Sequence, residues 1–314
     1  MAVTIICPNW DLNPWITVLN DQARKLGIND LDLRVWPDDG PGEDVEMALT
    51  WAHPPGVLKA YPNLQCISSM GAGVDHLLSD PDLPEGVPVV RLVDTHLIRD
   101  MAEYVLLAVL SHFRQLDIYQ ADQSRKRWQP RPPMDKADCP VGIMGLGQLG
   151  TAAALRLTKE GFPVAGWRNT EGGLPGVTTF HGQEQLPDFL SRCRVLICLL
   201  PLTSATRHIL NLDHFAHLPS GAYLINVGRG GHLKEEDLIP AMDKGLLSGA
   251  CLDVFETEPL PGSHPFWAHP RIRITPHVSS QTDPASVAPQ ILENLERLRN
   301  GKALANPVNL EKGY

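Results

Sequence analysis

Apolar residues gather in short runs along the chain, and between the runs they recur at helical spacing, so strand-like and helix-like segments alternate. In the first third, Val3–Cys7, Leu31–Trp36, Met47–Trp51, Cys66–Ser69 and Val87–Leu92 read as strands. Helices are expected over Pro14–Leu26, with proline at its start, and over Pro55–Tyr61. Within 94–120, Met101, Tyr104, Val105, Ala108, Val109, His112 and Phe113 share one broad apolar face, which predicts a long helix joining two domains. A polar, proline-rich connector runs to Pro140, and the alternation then resumes. Val141–Met144, Val164–Trp167, Val195–Leu199, Ala222–Val227, Ala250–Val254 and Ile272–Thr275 are expected strands, with helices over Gln183–Ser191 and Glu235–Lys244. A last helix, Ala285–Asn300, carries Val287, Ile291, Leu295 and Leu298 along one face and is expected to cross back onto the first domain. The pattern predicts an α/β protein of two doubly wound parallel-sheet domains, residues 1–96 plus 281–314 and residues 97–280.

One stretch of the second domain adds chemistry to this pattern. The run Val141–Met144 leads into Gly145-Leu146-Gly147-Gln148-Leu149-Gly150 and then into a small-residue helix, so G-x-G-x-x-G sits at a strand-to-helix turn. There Gly145 permits the turn, Gly147 lets the backbone approach a pyrophosphate, and Gly150 lets helix and strand pack closely. The helix N-terminus offers unpaired N–H groups to phosphates. Eighteen positions after Gly150 the next strand ends in Trp167-Arg168-Asn169-Thr170, with arginine where NAD-selective turns place an acidic residue. A guanidinium pairs with a 2′-phosphate that a carboxylate would repel, so NADPH is expected in preference to NADH. In the first domain, Met70-Gly71-Ala72-Gly73 follows a strand and is a candidate nest for a small carboxylate, although its glycines equally suit a plain turn.

Composition narrows the partners. The length of 314 residues suits two domains, and 43% hydrophobic with 20% charged residues is ordinary for a globular chain. A net charge of −9 argues against nucleic acid. The six cysteines form no C-x-x-C pair and mostly lie in apolar runs, as small buried hydrophobes do, which suits a reduced compartment. Met1-Ala2-Val3-Thr4 opens a strand-like segment without a signal-type core, and the longest apolar runs fall far short of the roughly 20 residues of a membrane span. A soluble, cytoplasmic protein is expected, with no membrane partner and no metal.

Three later stretches place ionisable residues just past strand ends, where ligands of open α/β sheets collect. They are Asn226-Val227-Gly228-Arg229-Gly230, Asp253-Val254-Phe255-Glu256-Thr257-Glu258-Pro259-Leu260 and Pro276-His277, with 29 positions from Arg229 to Glu258 and 19 from Glu258 to His277. In order and spacing these motifs, with the terminal Lys312-Gly313-Tyr314, resemble the D-isomer-specific 2-hydroxyacid dehydrogenases over essentially the whole chain, and most closely their glyoxylate/hydroxypyruvate reductase A branch.

The resemblance implies a flavodoxin-like substrate domain, a Rossmann dinucleotide-binding domain, an active site in the cleft between them, and a homodimer. It implies NADPH-dependent reduction of a small 2-keto acid to the D-2-hydroxy acid. Arg229 would clamp the carboxylate and polarise the carbonyl, His277 would act as general acid, and Glu258 would favour its imidazolium. The Gly145–Gly150 turn, residues 167–170, Leu200, Pro201, Val227 and Asp253 would hold the cofactor. Met70 to Gly73, Trp51 and Arg229 would hold the substrate, although Trp51 equally suits a core position. The departures are Gly228, where many relatives have Ala or Ser, and Ser279-Ser280, where small apolar residues are common; they bear on substrate preference. A dinucleotide-sensing corepressor on the same scaffold and a phosphoglycerate-type dehydrogenase remain alternatives.

Overall fold

The computed structural model describes residues 2–8 and 10–310; Lys312-Gly313-Tyr314 lies outside them. In chain order the elements of the first part are β1 (Ala2–Ile6), α1 (Asn13–Lys25), β2 (Asp32–Val35), β3 (Val45–Thr50), β4 (Cys66–Ser69), α2 (Asp75–Leu78) and β5 (Val89–Val90). Next come α3 (Thr95–Phe113), α4 (Leu116–Ser124), β6 (Val141–Met144), α5 (Gln148–Lys159), β7 (Val164–Arg168), β8 (Thr178–His181) and α6 (Leu186–Leu190). The remainder is β9 (Val195–Cys198), α7 (Leu212–Phe215), β10 (Ala222–Asn226), α8 (Glu235–Asp243), β11 (Leu247–Leu252), β12 (Ile272–Ile274) and α9 (Pro284–Arg299). These form two compact units, Met1–His96 with Thr282–Tyr314, and Leu97–Gln281.

The first unit is a five-stranded sheet of order β2-β1-β3-β4-β5, parallel throughout. That is the flavodoxin-like doubly wound order. Helix α9 packs on α1: Trp15, Leu19 and Ala23 share one buried cluster with Val287, Ala288, Ile291, Leu292 and Leu295. The apolar face of the last helix therefore completes the core of the first unit, which is discontinuous in sequence.

The second unit is a seven-stranded parallel sheet of order β12-β11-β10-β9-β6-β7-β8. The order reverses between β6 and β9, which is the switch point of a Rossmann fold. Successive strand residues serve opposite faces. Val195 and Ile197 join α3 and α5 in one cluster, while Leu196 and Cys198 join α6, α7 and α8 in the other. All six cysteines are free and buried. Burial pushes the Cys66 and Cys198 thiols up to about 12, so they remain inert thiols in the core.

Departures from expectation include a helix break and an edge strand. The single helix expected within 94–120 is two, α3 and α4, broken at Gln115, whose φ of 57° lies in the left-handed region. Glutamine carries no turn signal, so the sequence conceals the break. Strand β8 was not expected because Thr178–His181 is a partly exposed edge strand without an apolar run. No helix among the described residues is long and apolar enough to cross a membrane.

Candidate active site

Unit two gathers its chemistry at the carboxyl ends of its strands. Strand β6 is wholly buried and delivers the chain to Gly145, whose φ of +100° only glycine adopts without strain. A Cβ at Gly145 would lie 2.6 Å from the Leu199 carbonyl oxygen, so the turn is pressed against the segment leaving β9. At Gly150 a Cβ would lie 1.8 Å from the Gly145 carbonyl oxygen, and glycine is what lets α5 close on the turn. Gly147 differs from both. Its φ is −75° and a Cβ there would meet no protein atom within 4 Å. Neither conformation nor packing demands glycine at 147, whereas a ligand lying on the backbone would. The turn therefore fits a dinucleotide pyrophosphate, set at the positive end of α5.

Arg168 ends β7, half-buried, and its guanidinium lies over Gly172, where a Cβ would approach Nη1 to 2.7 Å. It forms no ion pair among the described residues. Asn169 and Thr170 beside it are exposed. Leu200 and Pro201 continue the segment that flanks Gly145, and Val227 is buried after β10, its N–H donating to the Cys198 carbonyl. Trp167 is a correction: its ring is 1% exposed in the core and donates from Nε1 to the Gly182 carbonyl at 2.8 Å, leaving no side-chain surface for a cofactor.

Strands β10, β11 and β12 are neighbours, so the loops carrying Arg229, Glu258 and His277 leave adjacent positions of one sheet edge. Close approach joins the first two loops: a Cβ at Gly230 would lie 1.8 Å from the Phe255 carbonyl carbon. The Glu258 carboxylate then spans its own loop and the next. Oε1 accepts the Phe255 N–H at 2.9 Å, and Oε2 is 2.7 Å from His277 Nδ1. An ionised carboxylate only accepts, so Nδ1 carries a proton and Nε2 is the position left to exchange one. Both side chains are about one-third exposed, at 32% for His277 and 35% for Glu258.

His277 itself has φ 54°, a left-handed conformation that costs energy for a non-glycine residue. Its loop is held by Asp253. The Asp253 carbonyl accepts the His277 N–H at 2.8 Å, and its carboxylate accepts the N–H groups of Val278 and Ser279, each at 2.9 Å. Thr275 Oγ1 also donates to Asp253 Oδ1 at 2.5 Å. With its one proton so used, Thr275 must accept from the Tyr104 hydroxyl of α3. Burial pushes the Tyr104 phenol up, so it stays protonated as that donor. Asp253, wholly buried, thus fastens the strained histidine loop, a role its motif did not disclose.

On the other side, Asn226 at the end of β10 is wholly buried and holds the arginine loop. Its Oδ1 accepts the Gly228 N–H at 3.2 Å and its Nδ2 donates to the Arg229 carbonyl at 3.0 Å. Asn226, Tyr104 and Thr275 are not legible from sequence as site residues: the bonds of Tyr104 and Thr275 join positions brought together only by the fold, and those of Asn226 are main-chain bonds within its own loop.

In the first unit, Trp51 follows β3 and the Met70–Gly73 turn follows β4. The Trp51 ring covers Gly71, where a Cβ would meet its Cζ3 at 2.6 Å, and it stacks obliquely on Trp10 and His76. Two expectations need correction. Met70 is fully buried in the core, and the Gly71 N–H already donates to Ser69 Oγ at 3.3 Å. Ser69 Oγ in turn donates to the Gly73 carbonyl at 2.6 Å, which leaves the Ala72 and Gly73 amides as the donors of this turn.

Comparison with known proteins places this geometry. The D-isomer specific 2-hydroxyacid dehydrogenase NAD-binding domain profile matches residues 106–279. The chain belongs to the D-isomer-specific 2-hydroxyacid dehydrogenase family. A glyoxylate/hydroxypyruvate reductase A of Photorhabdus laumondii is 40% identical over 100% of both chains. One of Yersinia enterocolitica is 39% identical over the same share. Among solved structures, a 2-hydroxyacid dehydrogenase of Xanthobacter autotrophicus in complex with NADPH and MES superposes with TM-score 0.92, at 40% identity over 100% of this chain and 99% of that one. The NADPH-dependent glyoxylate/hydroxypyruvate reductase of Sinorhizobium meliloti, with NADP and sulfate, gives TM-score 0.92 at 34% identity and the same coverage. Members of the family are NAD(P)-dependent dehydrogenases, so the Arg229, Glu258 and His277 loops are those of a redox enzyme.

Proposed function

We propose that this dehydrogenase reduces small 2-keto acids of the glyoxylate and hydroxypyruvate type to D-2-hydroxy acids with NADPH. The observation that carries the reading is the His277 Nδ1 to Glu258 Oε2 contact of 2.7 Å at a sheet edge shared with Arg229. NADPH, when bound along the Gly145–Gly150 turn, supplies the hydride. Arg229 receives the carboxylate with its planar two-pronged guanidinium and polarises the carbonyl. His277 gives the Nε2 proton to the carbonyl oxygen as that oxygen gains charge, and Glu258 stabilises the cation while the proton is held. Leu200, Pro201, Val227 and Asp253 are assigned to the nicotinamide and adenosine sides of the cofactor. Trp51, Ala72 and Gly73 are assigned to the substrate. A steady-state screen of short 2-keto acids with NADPH and NADH tests the reading. Turnover of glyoxylate or hydroxypyruvate is expected, and failure of every acid with both cofactors overturns it.

Cofactor choice rests on Arg168. Replacing it by alanine removes a charge-assisted hydrogen bond worth about 1.5–3 kcal/mol, so kcat/KM for NADPH is expected to fall about tenfold or more. The value for NADH should stay within about twofold. An equal fall for both cofactors would place Arg168 outside the 2′-phosphate site.

The homodimer is assigned to the second unit. Met101, Val105, Ala108 and Val109 of α3 are core, so that face is not the interface. Leu107, Leu116, Ile118, Tyr119, Met134 and Trp128 instead leave apolar side chains in water, Trp128 at 98% exposure. Light scattering should give twice the chain mass, reverting to one chain mass in an Ile118→Asp, Trp128→Ala double variant. Assignment to the cytoplasm is supported by the six free, buried thiols.

A further inference from the structure

The Arg229 main chain is fastened at its amide as well as its carbonyl. Beyond Arg229 the chain makes a short 3-10 turn, Gly230–His232, before Leu233. That turn brings the wholly buried His232 ring back under the arginine, and the Arg229 N–H donates to His232 Nδ1 at 3.0 Å. The His232 N–H returns a bond to the Arg229 carbonyl at 3.2 Å, and the His232 carbonyl accepts the Leu210 N–H at 2.9 Å, tying the turn to the neighbouring segment. The imidazole also fills the space beside Gly228, where a Cβ would stand 3.0 Å from Nδ1. A backbone amide can only donate, so Nδ1 must present its lone pair and the ring is the neutral Nε2–H tautomer.

We propose that His232 is a positioning residue for the keto-acid carboxylate, acting through Arg229; the proposal rests on the assignment of Arg229 to that carboxylate. Arg229 holds φ −144° and ψ 151°, and the direction of its Cα–Cβ bond follows from that extended backbone. Asn226 fixes the carbonyl side of the residue and His232 the amide side, so the two bonds together set where the guanidinium begins. Neither bond involves the guanidinium itself. Loss of the Nδ1 acceptor leaves a part-buried amide to seek another partner by rotating φ, which swings the side chain away from its ligand.

Three substitutions separate this role from simple packing. In His232→Asn, Oδ1 stands two bonds from Cβ, as Nδ1 does, and replaces the acceptor. In His232→Gln the same amide is one bond further out. In His232→Leu a methyl group stands where the acceptor was. The Leu and Gln variants are expected to raise the keto-acid KM about tenfold or more, with the dissociation constant for NADPH within about twofold, whereas Asn keeps the KM within about threefold. The Asn and Gln comparison stands even if the Leu variant does not fold. Wild-type KM values in the Leu or Gln variant, or an Asn variant as impaired as Gln, overturn the proposal. A second measurement is independent of turnover: 15N spectra of the histidine-labelled enzyme should show His232 as the Nε2–H tautomer. An Nδ1–H tautomer overturns the clamp, whereas failure of the wild-type enzyme on every keto acid overturns the assigned reaction instead.

Discussion

Replacement of His277 by alanine is expected to lower kcat for keto-acid reduction about 10²–10⁴-fold while the dissociation constant for NADPH stays within about twofold, the range by which a positioned acid accelerates proton transfer. The size follows from the hydrogen bonds. Glu258 occupies Nδ1 at 2.7 Å, so the ring offers its transferable proton from Nε2 alone, and no second imidazole shares this carboxylate among the described residues. The loop should survive the substitution, because it is held through its backbone: the His277 amide bonds the Asp253 carbonyl, and the Asp253 carboxylate bonds the two amides that follow. The loss is then chemical and not conformational. Steady-state rates with glyoxylate at saturating NADPH measure it, with cofactor binding followed by fluorescence. Retention of more than a tenth of the wild-type kcat would remove His277 from the role of general acid.

The contrast between what the chain displays and what it hides explains where such predictions are secure. Parallel strands buried on both faces appear as apolar runs, and β3, β4, β6, β9 and β10 are legible for that reason. The edge strand β8 has little apolar surface to bury and was invisible. The residues assigned to the reaction are legible as candidates because each stands in a short motif just past a strand end. Their supports are not. Asp253, Thr275 and Tyr104 act through bonds between different strands and helices, and nothing in local sequence states that Tyr104 lies beside Thr275, 171 positions away. Asn226 and His232 act within three positions of Arg229, through main-chain bonds that no motif displays. Burial was legible only in part: Trp167 and Met70 sit at strand ends beside real motifs, yet their side chains belong to the core. Being next to a motif in sequence settles neither the face on which a side chain stands nor what remains for it to bind.

Removal of the guanidinium at Arg229 is expected to cost more in kcat/KM than the loss of His277, because in the proposed mechanism Arg229 acts both in substrate binding and during the reaction. Two charge-assisted hydrogen bonds to a carboxylate are worth about 1.5–3 kcal/mol each, so Arg229→Ala should raise the keto-acid KM by two or more orders of magnitude, on the order of 10² or above. In the proposed mechanism the same group also faces the carbonyl oxygen as hydride arrival charges it, and loss of one such donor lowers kcat about 10²–10³-fold. The two effects separate by substitution. Arg229→Lys keeps the charge but offers a single point in place of a planar fork, so it should recover part of kcat and little of KM. Guanidinium ion added to Arg229→Ala should restore activity that it does not restore to His277→Ala. The variant should keep its local backbone, since Asn226 and His232 bond the Arg229 main chain, although it loses the side-chain bond from Nη1 to the Gly228 carbonyl, at 2.7 Å. Unchanged melting temperature and NADPH affinity would verify this. If Arg229→Ala lowers kcat but leaves the keto-acid KM at its wild-type value, Arg229 does not hold the carboxylate, and the substrate must be anchored by another group.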